Sequence, residues 1–159
     1  MIIKNLPFTA DEYDRRIALV RGAMDAAGID TLFVTDPSNQ AWLTGYDGWS
    51  FYVHQGVILR GEGDPIWWRR QDAAGARRTV WMDDDHVRGY DDHFVQSTER
   101  HPMQELAGIL QDLGAERIGV EMDNYYFSAK AFAVMQSSLP DAQFTDATAM
   151  VNWKRGVKS

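Results

Sequence analysis

Two clusters in this chain hold side chains that could do chemistry. The first is acidic: Asp83-Asp84-Asp85-His86, with Asp91, Asp92 and His93 close behind. Carboxylates and imidazoles are ligands for zinc, manganese or magnesium. The spacing argues against that use. Adjacent residues of an extended segment point to opposite faces, so three consecutive aspartates do not converge on one ion. An oxygen cage needs spaced ligands on a sharply turning loop, and no His-Glu-x-x-His is present. The run reads as a solvated acidic turn. The second cluster is aromatic: Trp42, Tyr46, Trp49, Phe51, Tyr52, Trp67, Trp68 and Trp81 fall within forty residues. Rings can wall a pocket for a cationic or planar ligand or anchor a protein interface. Phe51-Tyr52 and Trp67-Trp68 are adjacent pairs on predicted strands, so each pair places one ring on either face. Some of these rings are therefore expected at a ligand or partner surface as well as in the core. His54 and Arg69-Arg70 lie just beyond, where a guanidinium fork could orient a carboxylate.

Other chemistries find less support. Ser50 sits between Trp49 and Phe51 without a Gly-x-Ser-x-Gly elbow. Gly61-Glu62-Gly63 is followed by Asp64-Pro65, whose acids would repel phosphate, so it reads as a hairpin turn. The absence of cysteine removes disulfide scaffolds, thiol catalysis and cysteine-ligated zinc, and fits a cytoplasmic protein. A formal net charge of -7 makes nucleic acid an unfavourable partner. No basic amphipathic or long apolar stretch suggests a membrane, and the N-terminus does not read as a signal peptide.

The elements that would position these residues follow from pattern. Thr9 and Glu12 form a capping-box sequence ahead of Tyr13, Ile17, Val20 and Met24 at helical spacing, with Gly28 as the stop. Thr31 to Thr35 is an apolar run suited to a strand covered on both faces. Asp36-Pro37 turns the chain into a short helix over Ser38 to Thr44, closed by Gly45. Tyr52 to Leu59 reads as the second strand, paired through the Gly61–Pro65 turn with a third that begins at Ile66. Asp72 to Arg78 is predicted helical, Val80 to Met82 a short strand, and Val87 to Tyr90 extended. Pro102 starts a helix carrying Met103, Leu106, Ile109, Leu110 and Leu113, stopped by Gly114. Arg117 to Glu121 is a strand, Ser128 caps a helix that ends at Pro140, Gln143 to Asp146 is a strand, and Thr148 is expected to cap the last helix. This alternation predicts an α/β layered fold with a mixed sheet. The basic tail, from Val151 to Ser159, is either a frayed end or the start of a linker.

The order Asp36-Pro37-x-Asn39-x-x-x-Leu43-Thr44-Gly45-Tyr46 resembles the Asn-x-x-Tyr-Leu-Thr-Gly-Tyr signature of the N-terminal domain in the creatinase/prolidase (pita-bread) metallohydrolases, which include Xaa-Pro aminopeptidases. Trp42 stands where that family more often has tyrosine. The continuation from Asp47 to Tyr52 looks closest to the ectoine hydrolase branch. The strand ending at Glu121, the helix after Ser128 and the final Lys158-Ser159 are similar as well.

The resemblance implies a three-layer α/β domain, ribonuclease H-like, with a mixed sheet flanked by helices on both faces. It implies a domain over residues 1–152, with 153–159 opening a linker into a catalytic domain that lies beyond this chain. The family's metal ligands belong to that second domain, so no catalytic residue and no metal ligand is assigned here. A divalent metal (Mn, Zn, Co or Fe) is implied for the catalytic domain. The expected partners are that domain and a second subunit of a homodimer. The expected role is gating of a small zwitterionic or peptide substrate, with Tyr46, Trp49, Phe51, Tyr52 and His54 as a substrate rim supplied in trans. Two alternatives stay open: a freestanding small-molecule binding module using the same aromatics, and an independent metalloenzyme centred on the aspartates.

Overall fold

The computed structural model describes residues 4–50, 52–71 and 73–157. Phe51, one of the expected rim residues, and the Lys158-Ser159 pair lie outside them. The first helix, α1 (Ala10–Ala27), begins where the Thr9 hydroxyl accepts from the Glu12 amide at 3.3 Å and ends at Gly28, whose φ of 69° is left-handed. Only half of the expected capping box forms. The Glu12 carboxylate turns to Arg15 and Arg16 at 2.8 Å, and their guanidinium groups hold its pKa down to about 2. Charge-assisted bonds to two guanidinium groups outcompete a neutral amide. The reciprocal box occurs instead at the helix over Pro102–Asp112, where His101 Nδ1 accepts from the Met103 amide and Gln104 accepts from the His101 amide.

The strands are β1 (Thr31–Val34), β2 (Gly56–Arg60), β3 (Ile66–Arg70), β4 (Val87–Tyr90), β5 (Arg117–Val120) and β6 (Gln143–Asp146). They form one sheet in the order β4-β3-β2-β1-β5-β6. The β1–β2 and β2–β3 pairs are antiparallel and the other three are parallel, so the sheet is mixed as the hairpin predicts. On one face, Leu32, Val34, Leu59 and Trp67 pack against α1, α2 (Pro37–Thr44) and α5 (Thr148–Gly156). On the other, Phe33, Ile58, Trp68 and Val120 pack against α3 (Pro102–Asp112) and α4 (Ala129–Ser138). The three-layer α/β architecture is therefore the expected one.

Several local expectations change. Trp67 and Trp68 do point to opposite faces, but helices cover both faces and both rings are fully buried. Trp68 Nε1 donates to Glu105 at 2.6 Å, and the Trp67 ring meets the Tyr46 ring at 4.7 Å. This pair is core and forms no outer surface. The second strand starts at Gly56, four residues later than Tyr52. The amides of Thr35 and Asp36 bond Glu121, so β1 stops at Val34 and leaves residues before Gly56 no ladder partner on that side. Val80 to Met82 is irregular: the Trp81 amide and indole N–H donate to Thr44 and Leu43 carbonyls, while Lys4 takes the carbonyls of Trp81 and Met82. The stretch after β3 expected to be helical is a 3-10 helix over Ala73–Arg78. Thr148 is the first residue of α5 and not its cap. Its hydroxyl donates to Asp146 at 2.5 Å and accepts from the Asp123 amide.

Gly56 lets β2 begin beneath Phe33. A Cβ there would sit inside van der Waals contact of the Phe33 ring and 2.8 Å from the Val34 carbonyl oxygen. Gly56→Ala is expected to destabilise the domain by roughly 1–3 kcal/mol, the usual cost of overpacking. Gly61→Ala, where a Cβ meets open space, is expected to stay within about 0.5 kcal/mol of wild type. Urea unfolding midpoints of the two variants check both.

Candidate functional site

The loops after β1, β3, β4, β5 and β6, and the loop before β2, all emerge at one end of the sheet. The chain leaves β1 for α2 on one face and leaves β5 for α4 on the other. Neighbouring strands whose exits diverge in this way open a crevice, the usual ligand position in an open α/β sheet. Here the crevice holds a side chain of the protein itself. Glu121, 1% exposed, accepts from the amides of Thr35 at 2.7 Å and Asp36 at 2.6 Å, and from Asn39 Nδ2 at 2.6 Å. These donors lie at the start of α2, where a carboxylate is favoured by the helix dipole. Asn39 passes the tie onward: its Nδ2 also donates to Asn152, and its Oδ1 accepts from Arg155, both on α5. Asn124 Nδ2 adds a bond to the Thr35 hydroxyl at 2.8 Å. Burial pushes the Glu121 pKa up to about 7, while its hydrogen-bond donors pull it the other way.

Beside this plugged crevice run residues 45–50 and 52–55. They are irregular but held at several points. The Tyr46 hydroxyl accepts from Arg69 at 2.9 Å. The Ser50 hydroxyl accepts from the Val53 amide, and Val53 is buried. Gln55 Nε2 donates to Gln40 Oε1 at 3.1 Å and to the Gly48 carbonyl at 3.0 Å. The Tyr90 hydroxyl donates to the His54 carbonyl at 2.6 Å. What this scaffold presents is aromatic. Trp49 and Tyr52 are 58% and 51% exposed, and the Trp49 ring meets Tyr126 at 6.5 Å. His54 lies 4.9 Å from the His101 ring. Burial, helped by His101, pushes His54 down to about 4, so its imidazole is neutral near pH 7.

Two cavities flank His54. One, of about 200 Å³, lies against Ser50, Gln55, Tyr125, Tyr126 and Ser128; the other, of about 130 Å³, lies against Tyr90, Phe94, Arg100 and His101. Tyr52 borders both. The expected rim residues therefore divide. Trp49, Tyr52 and His54 share this edge. Tyr46 packs with the opposite helical layer against Trp67, and supports the loop from behind. Gln55, His101, Tyr125 and Tyr126 belong to the edge and escape a reading of the sequence. Tyr125-Tyr126 carries the one available signal, an adjacent aromatic pair just before the Ser128 cap, of which Tyr125 is exposed and Tyr126 half-buried. The acidic cluster lies apart. Asp84–His86 is a 3-10 turn in which Asp85 pairs with His86, while Asp91 pairs with His93 and Asp92 with Arg70. Among the described residues no three His, Asp or Glu side chains group as metal ligands, and no described helix is long and apolar enough to cross a membrane.

Comparison with known proteins gives a consistent result. Residues 16–157 match the creatinase/prolidase N-terminal domain family. The chain is 56% identical to the ectoine hydrolase of Halomonas elongata over its whole length, which is 41% of that protein. It thus spans about two fifths of this curated relative. Among solved structures, a proline dipeptidase from Streptococcus pneumoniae superposes with a TM-score of 0.71 at 20% identity, over 89% of this chain and 98% of that one. An Xaa-Pro dipeptidase from Bacillus anthracis superposes at 0.73 and 17% identity, over 92% of this chain and 37% of that one. These two share the fold.

The buried carboxylate generates a pH dependence. Glu121 titrates near 7 when folded against 4.5 for its ordinary value. The folded state therefore binds the extra proton between those values, and stability falls as pH rises through that window. The expected outcome is that wild type loses roughly 2–3 kcal/mol relative to Glu121→Gln between about pH 5 and pH 8. Urea unfolding of both proteins across that range checks it.

Proposed function

The chain belongs to the creatinase/prolidase N-terminal domain family, and on that premise we propose that it is the non-catalytic, gating domain of a metal-dependent C–N hydrolase. In this reading a C-terminal domain holds a divalent metal and performs the hydrolysis. The present domain dimerises and lends its aromatic edge to the active site of the partner subunit. The observation that carries the proposal is the held segment over residues 45–50 and 52–55. It keeps Trp49 and Tyr52 exposed beside a neutral His54, with the His54 carbonyl tied to Tyr90 and the Gln55 and Tyr46 side chains tied to Gln40 and Arg69. Rings displayed at a fixed edge can close over a substrate, exclude water and hold its orientation, which are catalytic contributions without bond-making.

The 56% identity to ectoine hydrolase supports, for the substrate, a small zwitterionic molecule of the ectoine type in preference to an Xaa-Pro peptide. The chain's lack of cysteine supports a cytoplasmic location, where disulfides are rare.

The test uses the full-length enzyme. Tyr52→Ala and His54→Ala are each expected to raise KM or lower kcat, with kcat/KM reduced about tenfold, equivalent to about 1.4 kcal/mol of lost transition-state stabilisation. Metal content per subunit is expected to stay at the wild-type value. Unchanged kinetics in both variants would sink the proposal.

A further inference from the structure

The large apolar side chains left exposed among the described residues fall on two sides of the domain. Trp49, Tyr52 and Tyr125 belong to the aromatic edge, which adjoins His101 ahead of α3 and Ser128 ahead of α4. Leu19, Trp153 and Val157 belong to the opposite helical layer, on α1, on α5 and just past its end. Phe8, the remaining one, lies over the Arg16 guanidinium. We propose that the α1–α5 surface is the seat of the C-terminal domain of the same polypeptide. This rests on the reading that such a domain follows, and adds where it docks and by what chemistry.

Two open hollows, of about 630 and 300 Å³, adjoin here and share Ala23 and Lys154. Leu19, Gly22 and Ala26 border the first, on α1; Met150 and Trp153 border the second, on α5. A solvated helix face is ordinarily polar. From Ala18 to Ala27 only Arg21 and Asp25 are charged, and Arg21 turns aside to the Arg60 and Gly63 carbonyls. Gly22 is the sharpest sign. It sits inside α1, where glycine is a weak helix former, and a Cβ there would meet nothing within 4 Å. The domain's own packing does not call for glycine at this position; close approach by another body does. Exposed Trp and Leu beside such ground mark an interaction surface.

The layout selects the occupant. The aromatic edge on the other side is the surface offered to the partner subunit, which leaves the α1–α5 surface for a neighbour in cis. Trp153 lies in the last turn of α5, so a domain joined after α5 meets the patch at high effective concentration. The Halomonas and Bacillus anthracis relatives both run well beyond the span this chain covers. Lys154 is half-buried between the hollows and makes no ion pair among the described residues. Asp146, which borders the same hollow, is taken by Thr148. The docking face is therefore apolar, with large side chains over Gly22 and a carboxylate opposite Lys154.

The test is alkylation at position 26, an exposed α1 position in a chain without cysteine. Ala26→Cys is placed in the 159-residue chain and in the full-length enzyme, treated with iodoacetamide, and read by mass spectrometry of the peptide that carries it. Labelling is expected to be at least about tenfold slower in the full-length enzyme, as for any site that reacts only when its cover opens. In the 159-residue chain its rate is expected to be independent of protein concentration. Gly22→Gln, added to the probe, is expected to raise the urea midpoint of the 159-residue chain, because glutamine is the better helix former. In the full-length enzyme the same change is expected to bring labelling close to the rate of the isolated chain. Trp153→Glu is expected to release the probe likewise, and at 77% exposure the isolated chain tolerates it. If neither double variant folds at full length, the comparison of the two Ala26→Cys proteins still decides. Equal labelling in both proteins overturns the proposal, and so does protection that survives both substitutions. Labelling of the 159-residue chain that slows with concentration would give the patch to a second copy. Protection of the full-length enzyme that fades on dilution to monomer would give it to the partner subunit. Either result overturns the seat in cis. The probe reads docking and the Tyr52 and His54 kinetics read the rim, so either reading can fail while the other stands.

Discussion

One buried carboxylate organises this domain. Glu121 lies where β1 and β5 send the chain to opposite faces, and its oxygens hold the amides of Thr35 and Asp36 just ahead of α2. That single arrangement stops β1 at Val34 and orients α2. Through Asn39 it reaches Asn152 and Arg155 at the end of α5. In many open α/β sheets the same position receives an anionic ligand at a helix N-terminus. Here the protein supplies its own carboxyl group, so the crevice is spent on structure. Burial opposes the charge and the donors favour it, which makes the interaction strong in geometry and sensitive in energy.

With the crevice filled, the exposed aromatic surface at this end of the sheet lies on the neighbouring loops. Because β1 stops early, residues 52–55 cannot extend β2 and must satisfy their backbone in other ways. Ser50 and Gln55 do so within the segment and Tyr90 from the end of β4. The result is an irregular segment that is nevertheless well held, with buried Val53 and Gln55 anchoring exposed Trp49 and Tyr52. A loop of this kind can present rings at a fixed height without the entropy cost of ordering them on each encounter. The relay from Thr35 through Gln40 to Gln55 links it back to the Glu121 hub.

The layered fold was legible in the sequence wherever local pattern and tertiary demand agree. The Tyr13–Met24 stripe, the uninterrupted β1 run and the Gly61–Pro65 turn each point to one structure. Reading failed where long-range hydrogen bonds take over the backbone. Nothing local to Tyr52–Gln55 says that Thr35 and Asp36 are already claimed by a residue 85 positions away. Val80–Met82 has strand composition, yet its groups are taken by α2 and Lys4. Trp67-Trp68 alternates as predicted, but the burial of both faces is a property of the helix layout, invisible in the dipeptide. The signature Asn39 was visible as a motif. Its role as the bridge from Glu121 to α5 emerges only from the fold. Gln55 has no sequence signal, because its partners Gln40 and Gly48 are brought to it only by the fold.

The central claim is that this domain completes the active site of a neighbouring subunit. Subunit complementation in the full-length enzyme tests it most directly. One subunit would carry Tyr52→Ala and His54→Ala with an intact catalytic domain, and the other a wild-type N-terminal domain with its metal ligands removed. If the rim acts in trans, the mixed dimer regains about half the wild-type activity per dimer, since one intact catalytic site meets one intact rim. If the mixed dimer is no more active than the two impaired homodimers, the rim does not serve its neighbour and the account is wrong.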